Sequence, residues 1–177
     1  MKPLCVFGIM DNAAGRKIAN EMREWLQPVY ELHEVTHDGK QFELPALREA
    51  QRLAQERQQP VLYIHTRGAF NIWRTTIPTR KMWREEFGRQ WRKYFTLADR
   101  EAPLVVCPFV DFDKETRYNG FVANAAAWEQ LDLQPTKDRF DYERLWCKKE
   151  TPVIGLLITR DDWAIKDIRN YLYTLYE

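Results

Sequence analysis

The sequence is poor in cysteine, has no excess of either charge and contains no long apolar run; each shortage removes a class of protein. Three cysteines in 177 residues (Cys5, Cys107 and Cys147) are widely spaced and odd in number. That is neither a disulfide framework nor a CxxC metal site, and it fits a reducing compartment. Lys plus Arg number 27 against 26 Asp plus Glu, a net charge of +1. The whole-molecule field therefore advertises no nucleic-acid or membrane partner, and any electrostatic function must be local. The apolar run before Asp11 is too short for a signal peptide, and no later run approaches the roughly 18 residues that span a bilayer. The expectation is a cytoplasmic protein without a membrane span. No internal repeat, low-complexity tract or linker interrupts it, so residues 1–177 are expected to form one domain.

What is abundant is large side chains. The chain is 45% hydrophobic and 14% aromatic, with seven Trp, eight Tyr and nine Phe. A bulky core accounts for most of them; a ligand-stacking surface is the alternative.

Apolar runs and helical periodicity alternate along the chain. Leu4 to Met10 reads as a buried strand, 13–27 as a helix closed by Pro28, Tyr30 to Thr36 as a second strand and 45–58 as a helix opened by Pro45. Val61 to His65 is the clearest strand, ending in the polar tip His65-Thr66-Arg67-Gly68. A helix over 79–97, a strand from Pro103 to Val110 and a turn plus alanine-rich helix over Asn119–Leu131 follow. A helix over Phe140–Cys147, a strand over Val153–Ile158 and a terminal helix over 161–176 complete the pattern. Strands alternating with helices predict an α/β three-layer sandwich with a mostly parallel, Rossmann-like sheet, because parallel strands need crossover connections. The strands at 4–10, 61–65 and 104–110 are expected to be adjacent and parallel, their apolar runs being those of strands buried on both faces.

Ligands bind such sheets beyond the carboxyl ends of the strands. Three polar clusters are predicted there: Asp11-Asn12, His65-Thr66-Arg67-Gly68, and Asp111-Phe112-Asp113. Asp111 and Asp113 place two carboxylates where one divalent cation, Mn or Mg, can bridge them to a diphosphate; solvated surface acids are the plainer reading. His65 to Gly68 offers an imidazole, a hydroxyl, a fixed cation and a close backbone approach, which suit a phosphate or a sugar hydroxyl. A strand-end histidine bonded within the fold is the alternative.

Residues 67–93 carry eight cations against Glu85 and Glu86, interleaved with Phe70, Trp73, Trp83, Phe87 and Trp91. Cations beside stacking faces suit a nucleoside diphosphate or single-stranded nucleic acid. Trp83 and Trp91, eight apart on one helix, read instead as core anchors. Late in the chain Asp141 and Glu143 offer carboxylates for accepting a proton, against a plain Asp141–Arg144 ion pair.

Taken in order, Phe42-Glu43-x-Pro45-Ala46-Leu47, Leu62-Tyr63-Ile64-His65-Thr66-Arg67-Gly68, Trp83-Arg84-Glu85 and Arg139-Phe140-Asp141-Tyr142-Glu143-Arg144-x-Trp146 resemble bacterial glycosyltransferase-like proteins of polysaccharide loci. Those proteins carry a Tyr-x-His-Thr-Lys-Gly segment, a downstream Trp-Arg and a late Glu-x-Trp. Arg67 stands at the family's lysine, and Asn119-Gly120-Phe121-Val122-Ala123 lacks the tryptophans of its Gly-Asn-Phe-Trp-Trp segment. The resemblance implies a GT-A-like nucleotide-sugar fold and transfer of a sugar from a nucleotide-sugar donor to a hydroxyl acceptor, a glycan or a nucleic acid. It makes Glu143 the catalytic base candidate beside Asp141. Asp11, Asn12, His65, Thr66, Arg67, Gly68, Arg84, Asn119 and Gly120 then become substrate-binding candidates. The rival expectation is a non-enzymatic nucleotide or nucleic-acid binding module that uses residues 67–93.

Overall fold

A computed structural model of the chain describes residues 2–66, 69, 76–108, 120–137, 139–142, 144–146 and 150–157. Strand β1 (Leu4–Met10) is buried at every position and forms the middle of the sheet's long half. It pairs in parallel with β2 (Glu31–His37) on one side and β3 (Val61–His65) on the other, with Cys5 opposite both Leu32 and Leu62. Beyond β3 come three short strands: β5 (Phe121–Ala123), β4 (Val105–Cys107) and β6 (Val153–Gly155), giving the order β2-β1-β3-β5-β4-β6. Strand β5 runs antiparallel to both β3 and β4, while β6 is parallel to β4.

Alternation along β1 divides the core. Cys5, Phe7 and Ile9 face a cluster with Leu62 and Ile64, built on helix α1 (Ala13–Leu26), α3 (Thr76–Trp83) and α4 (Trp91–Ala98). Leu4 and Val6 face the other way, toward Tyr63, Phe121, α2 (Leu44–Arg57) and α5 (Ala125–Glu129). Both faces of the sheet are covered by helices, as parallel strands with crossover helices require. The fold is an α/β sandwich with a mostly parallel mixed sheet, of Rossmann-like architecture. Among the described residues no helix is long and apolar enough to cross a membrane.

The long half keeps to its expected elements within a residue or two. The other half departs from them. The segment at Val105–Cys107 is not adjacent to β3: β5 lies between them, in the middle of what reads as turn plus helix. Three apolar residues are too short to display a strand period, and only their pairing (Tyr63 with Phe121, Val106 with Val122) makes Phe121–Ala123 a strand.

The helix over 79–97 is also divided. After Trp83 the chain forms a π-helical turn, Arg84–Arg89, closed by the bond from Gln90 N to Glu85 O at 3.1 Å, and α4 starts at Trp91. Tertiary contacts account for the bulge. The Tyr30 hydroxyl donates to the Phe87 carbonyl at 2.6 Å, and a Cβ on Gly88 would lie 3.1 Å from the Trp25 ring. Such bulges arise where an inserted side chain competes for the ladder. Among the described residues of 140–147 and 153–158, the structure shows a 3-10 turn, Arg139–Tyr142, and a strand, Val153–Gly155. The terminal helix over 161–176 lies outside the described residues.

Candidate functional site

The carboxyl ends of β1 and β3 leave the sheet side by side and are fastened to each other. Thr66 is the fastener: its amide donates to Gly8 O at 2.9 Å and its hydroxyl accepts from Met10 N at 2.9 Å. Asp11 N donates to His37 O at 2.8 Å, which ties the same exit to the end of β2. Asn12 caps α1 by accepting from Gly15 N at 2.6 Å, and its side-chain amide donates to Ala69 O at 3.0 Å, joining the β1–α1 turn to the segment after β3. Asp11 is exposed and pairs with Arg16. Of the predicted substrate-binding residues, Asp11, Asn12, His65 and Thr66 are thus brought together. Asn12 and Thr66 spend their polar atoms on the backbone, so their first role is to shape the edge.

His65 ends β3 in a tight enclosure. Gly8 faces it from β1, where a Cβ would lie 3.3 Å from the His65 Cβ and 3.1 Å from that of Ala46 on α2. The missing side chain lets α2 and the His65 backbone close over β1. The His65 ring lies parallel to that of Tyr63, centroids 6.2 Å apart and planes within 7°, and 5.8 Å from the Trp83 ring. Its Nδ1 is 3.6 Å from Glu43 Oε1, with the two side chains only 14% and 17% exposed. Glu43 caps α2 directly after Phe42, a non-glycine residue held at φ 49°, in the left-handed region. Backbone strain of this kind persists only where surrounding contacts hold it. The Phe42 ring rests edge-on against Tyr142, centroids 6.5 Å apart.

The Glu43 carboxylate marks its neighbours. Burial first, then the Glu43 charge, pushes the Tyr63 hydroxyl well above the ordinary phenol range; Tyr142 is raised mainly by burial, with a backbone hydrogen bond at Thr136 opposing and the Glu43 charge adding to it. Among the described residues the Tyr63 hydroxyl has no hydrogen-bond partner, although the residue is fully buried. Sequence reasoning did not select Glu43 as a site residue. Its signals were its place in the Phe42-Glu43-x-Pro45-Ala46-Leu47 segment and its position, a carboxylate two residues before the Pro45 that opens a helix.

The remaining candidates scatter. Gly120 is buried under Trp83; a Cβ there would lie 2.6 Å from the indole Nε1, so the glycine makes room for the tryptophan. Trp83 is itself fully buried and is a core anchor. Arg84 is exposed at the start of the π-helical turn, with no contact to the edge cluster among the described residues. Asp141 is exposed and accepts from the Thr136 hydroxyl. It lines a groove of about 310 Å³ beside Tyr142. A second groove, of about 260 Å³, lies at the opposite end of β1 and β3, against Pro3, Pro60, Trp91 and Phe95. Arg67, Gly68, Asp111, Asp113, Asn119 and Glu143 lie outside the described residues. Among the described residues no group of three His, Cys, Asp or Glu side chains is arranged to hold a metal ion.

Among the described residues three cations of the basic stretch lie beside carboxylates. Arg80 lies 3.6 Å from Glu21, Arg89 3.0 Å from Glu85, and Lys93 2.5 Å from the buried Glu86, which also accepts from the Tyr94 hydroxyl. Arg92 stacks over Trp91 at 4.9 Å. Such pairing leaves less positive field for a polyanion than the sequence count implies.

Fold and site together define an α/β protein whose polar groups gather at the carboxyl edge of its parallel strands. No family model, no curated protein and no solved structure matches the chain.

Proposed function

We propose that this chain is a glycosyltransferase of GT-A-like fold, moving a sugar from a nucleotide-sugar donor to a hydroxyl acceptor. The observation that supports the reading is the shared exit of β1 and β3. There the amino end of α1, the His65–Glu43 pair and the Thr66 fastener form one edge of the sheet. Open α/β sheets bind ligands at such an edge, and a helix amino end favours phosphate.

On this reading the donor lies over the edge, with Arg67, which follows Thr66 in the sequence, offered to its diphosphate. Glu143, beside Asp141, accepts the proton of the acceptor hydroxyl. The hydroxyl oxygen bonds to the anomeric carbon, the bond from that carbon to the diphosphate breaks, and the nucleoside diphosphate departs with the electron pair. Asp111 and Asp113 are the acids proposed to hold a divalent cation.

A thermal-shift panel of nucleoside diphosphates and nucleotide sugars, with and without Mn²⁺ or Mg²⁺, tests the reading. The cognate donor at 100 times its Kd should stabilise by about 2.7 kcal/mol. Glu143→Gln should keep that shift and lose about 10² to 10⁴ in transfer rate. Stabilisation by none of the nucleotides overturns the reading. Binding to single-stranded nucleic acid that falls steeply with salt would replace it with the binding-module reading.

A further inference from the structure

We propose that the groove between the α5-following segment and the 3-10 turn is a binding site for a neutral saccharide. Four side chains form its polar rim: Asp132, Gln134, Thr136 and Asp141. They are already linked in pairs, Gln134 Nε2 donating to Asp132 at 2.6 Å and the Thr136 hydroxyl donating to Asp141. Pro135, Leu145 and the Tyr142 ring supply the apolar part. A pyranose presents both chemistries at once, hydroxyls around its edge and C–H groups on its faces. Carboxylates and a carboxamide accept hydroxyl hydrogens, while an aromatic or proline surface receives the C–H face. A volume of about 310 Å³ is at the lower end of small-ligand sites.

Charge narrows the ligand. Among the described residues the lining carries two carboxylates and no cation. Like charge disfavours a uronic acid or a sugar phosphate and leaves a neutral sugar. The wall is held from outside the groove by Arg48, which donates to the Leu133 carbonyl through both Nε, at 3.3 Å, and Nη2, at 2.9 Å, and from within it by the Tyr142 hydroxyl, which donates to Gln134 O at 3.3 Å. These bonds fix the backbone on which Asp132 and Gln134 stand. The groove also adjoins the edge. Tyr142 rests on Phe42, and the next residue, Glu43, pairs with His65. A sugar seated here would therefore lie on the α2 side of the proposed donor site, in a position to serve as acceptor. That role, unlike the binding itself, rests on the glycosyltransferase reading.

The experiment follows backbone amides of the ¹⁵N-labelled full chain during titration with methyl hexopyranosides and, separately, with methyl hexopyranosiduronates. Neutral glycosides should shift amides in 132–136 and 141–145, and the uronates should bind at least tenfold more weakly. Asp132→Asn and Gln134→Ala, both at exposed positions, should each weaken the neutral glycoside at least fivefold without moving any nucleotide-induced thermal shift. Shifts confined to residues 8–12 and 61–66, tighter binding of the uronate, or no response to any glycoside overturns the site. A groove that binds glycosides in a chain that binds no nucleotide sugar overturns the glycosyltransferase reading and leaves the saccharide site standing.

Discussion

The two halves of the sheet are built by different means. The half formed by β2, β1 and β3 has strands of seven, seven and five residues, all parallel. The half formed by β5, β4 and β6 has three strands of three residues, one of them reversed. In the first half long apolar runs bury themselves against crossover helices, and the polar residues after each run arrive at one edge. In the second, no strand is long enough to hold its own place, and large aromatic rings do the holding. Phe121 contacts Tyr63, Trp128 and Trp146 at centroid distances of 5.5, 5.6 and 5.6 Å, bridging β3 to α5 and to the segment after the 3-10 turn. A site whose shape comes from the first half thus depends on the second through such bridges and through the pairing of β3 with β5.

The largest expected effect attacks the bridge. Phe121→Ala should cost about 3–5 kcal/mol, the loss of a fully buried ring plus the cavity it leaves. Hydrogen exchange should show the damage at Val105–Cys107 first, with the amides of β1 and β2 opening last. Uniform loss of protection would mean that the halves are one cooperative unit.

The asparagine caps make the same comparison on a smaller scale. Asn124, 3% exposed, accepts from Leu104 N and Ala127 N and donates to the carbonyls of Arg100 and Ala102, so one side chain joins α5 to the segment that leads into β4. Asn124→Ala should cost about 3 kcal/mol, a lost cap plus buried groups left without partners, when unfolding is followed in urea. Asn12→Ala, at the half-buried cap of α1, should cost about 1 kcal/mol. Equal costs would remove the contrast between the halves.

Gly15→Ala tests how rigid the first half is. Helix propensity alone favours alanine by about 1 kcal/mol. The new Cβ, however, would lie 2.0 Å from the Met10 carbonyl oxygen, a backbone atom that cannot turn aside. The clash should win, with a net loss of about 2 kcal/mol in chemical denaturation.

The smallest effect is a pH dependence at the end of β2. Burial lowers the His37 pKa below its ordinary value, with the neighbouring Asp38 charge partly opposing. The unfolded chain therefore takes up this proton more readily than the folded one. Stability contributed by neutral His37 is complete above about pH 6.5 and declines as pH falls from there toward the folded value. His37→Gln should flatten that part of the stability curve; an unchanged slope would assign it to other groups.

The edge candidates Asp11, Asn12, His65 and Thr66 were legible in the sequence because each follows an apolar run directly, and a strand's carboxyl end carries whatever comes next. Glu43 was not, since its approach to His65 depends on a left-handed Phe42 and on Gly8 letting α2 come down onto β1. The roles of Asn12 and Thr66 were hidden too: hydrogen bonds reaching 57 and 56 residues along the chain cannot be seen in a local pattern.

By itself the sequence determined the alternation of strands and helices as far as β3 and the polar edge beyond β1 and β3, because burial period and helix punctuation are local properties of the chain. Only the tertiary structure decided that β5 enters between β3 and β4, that the helix after Trp83 bulges where Tyr30 binds the Phe87 carbonyl, and that Glu43 stands beside His65. Those outcomes depend on free energies shared between residues far apart, and a three-residue strand or a single carboxylate carries no period from which they could be read.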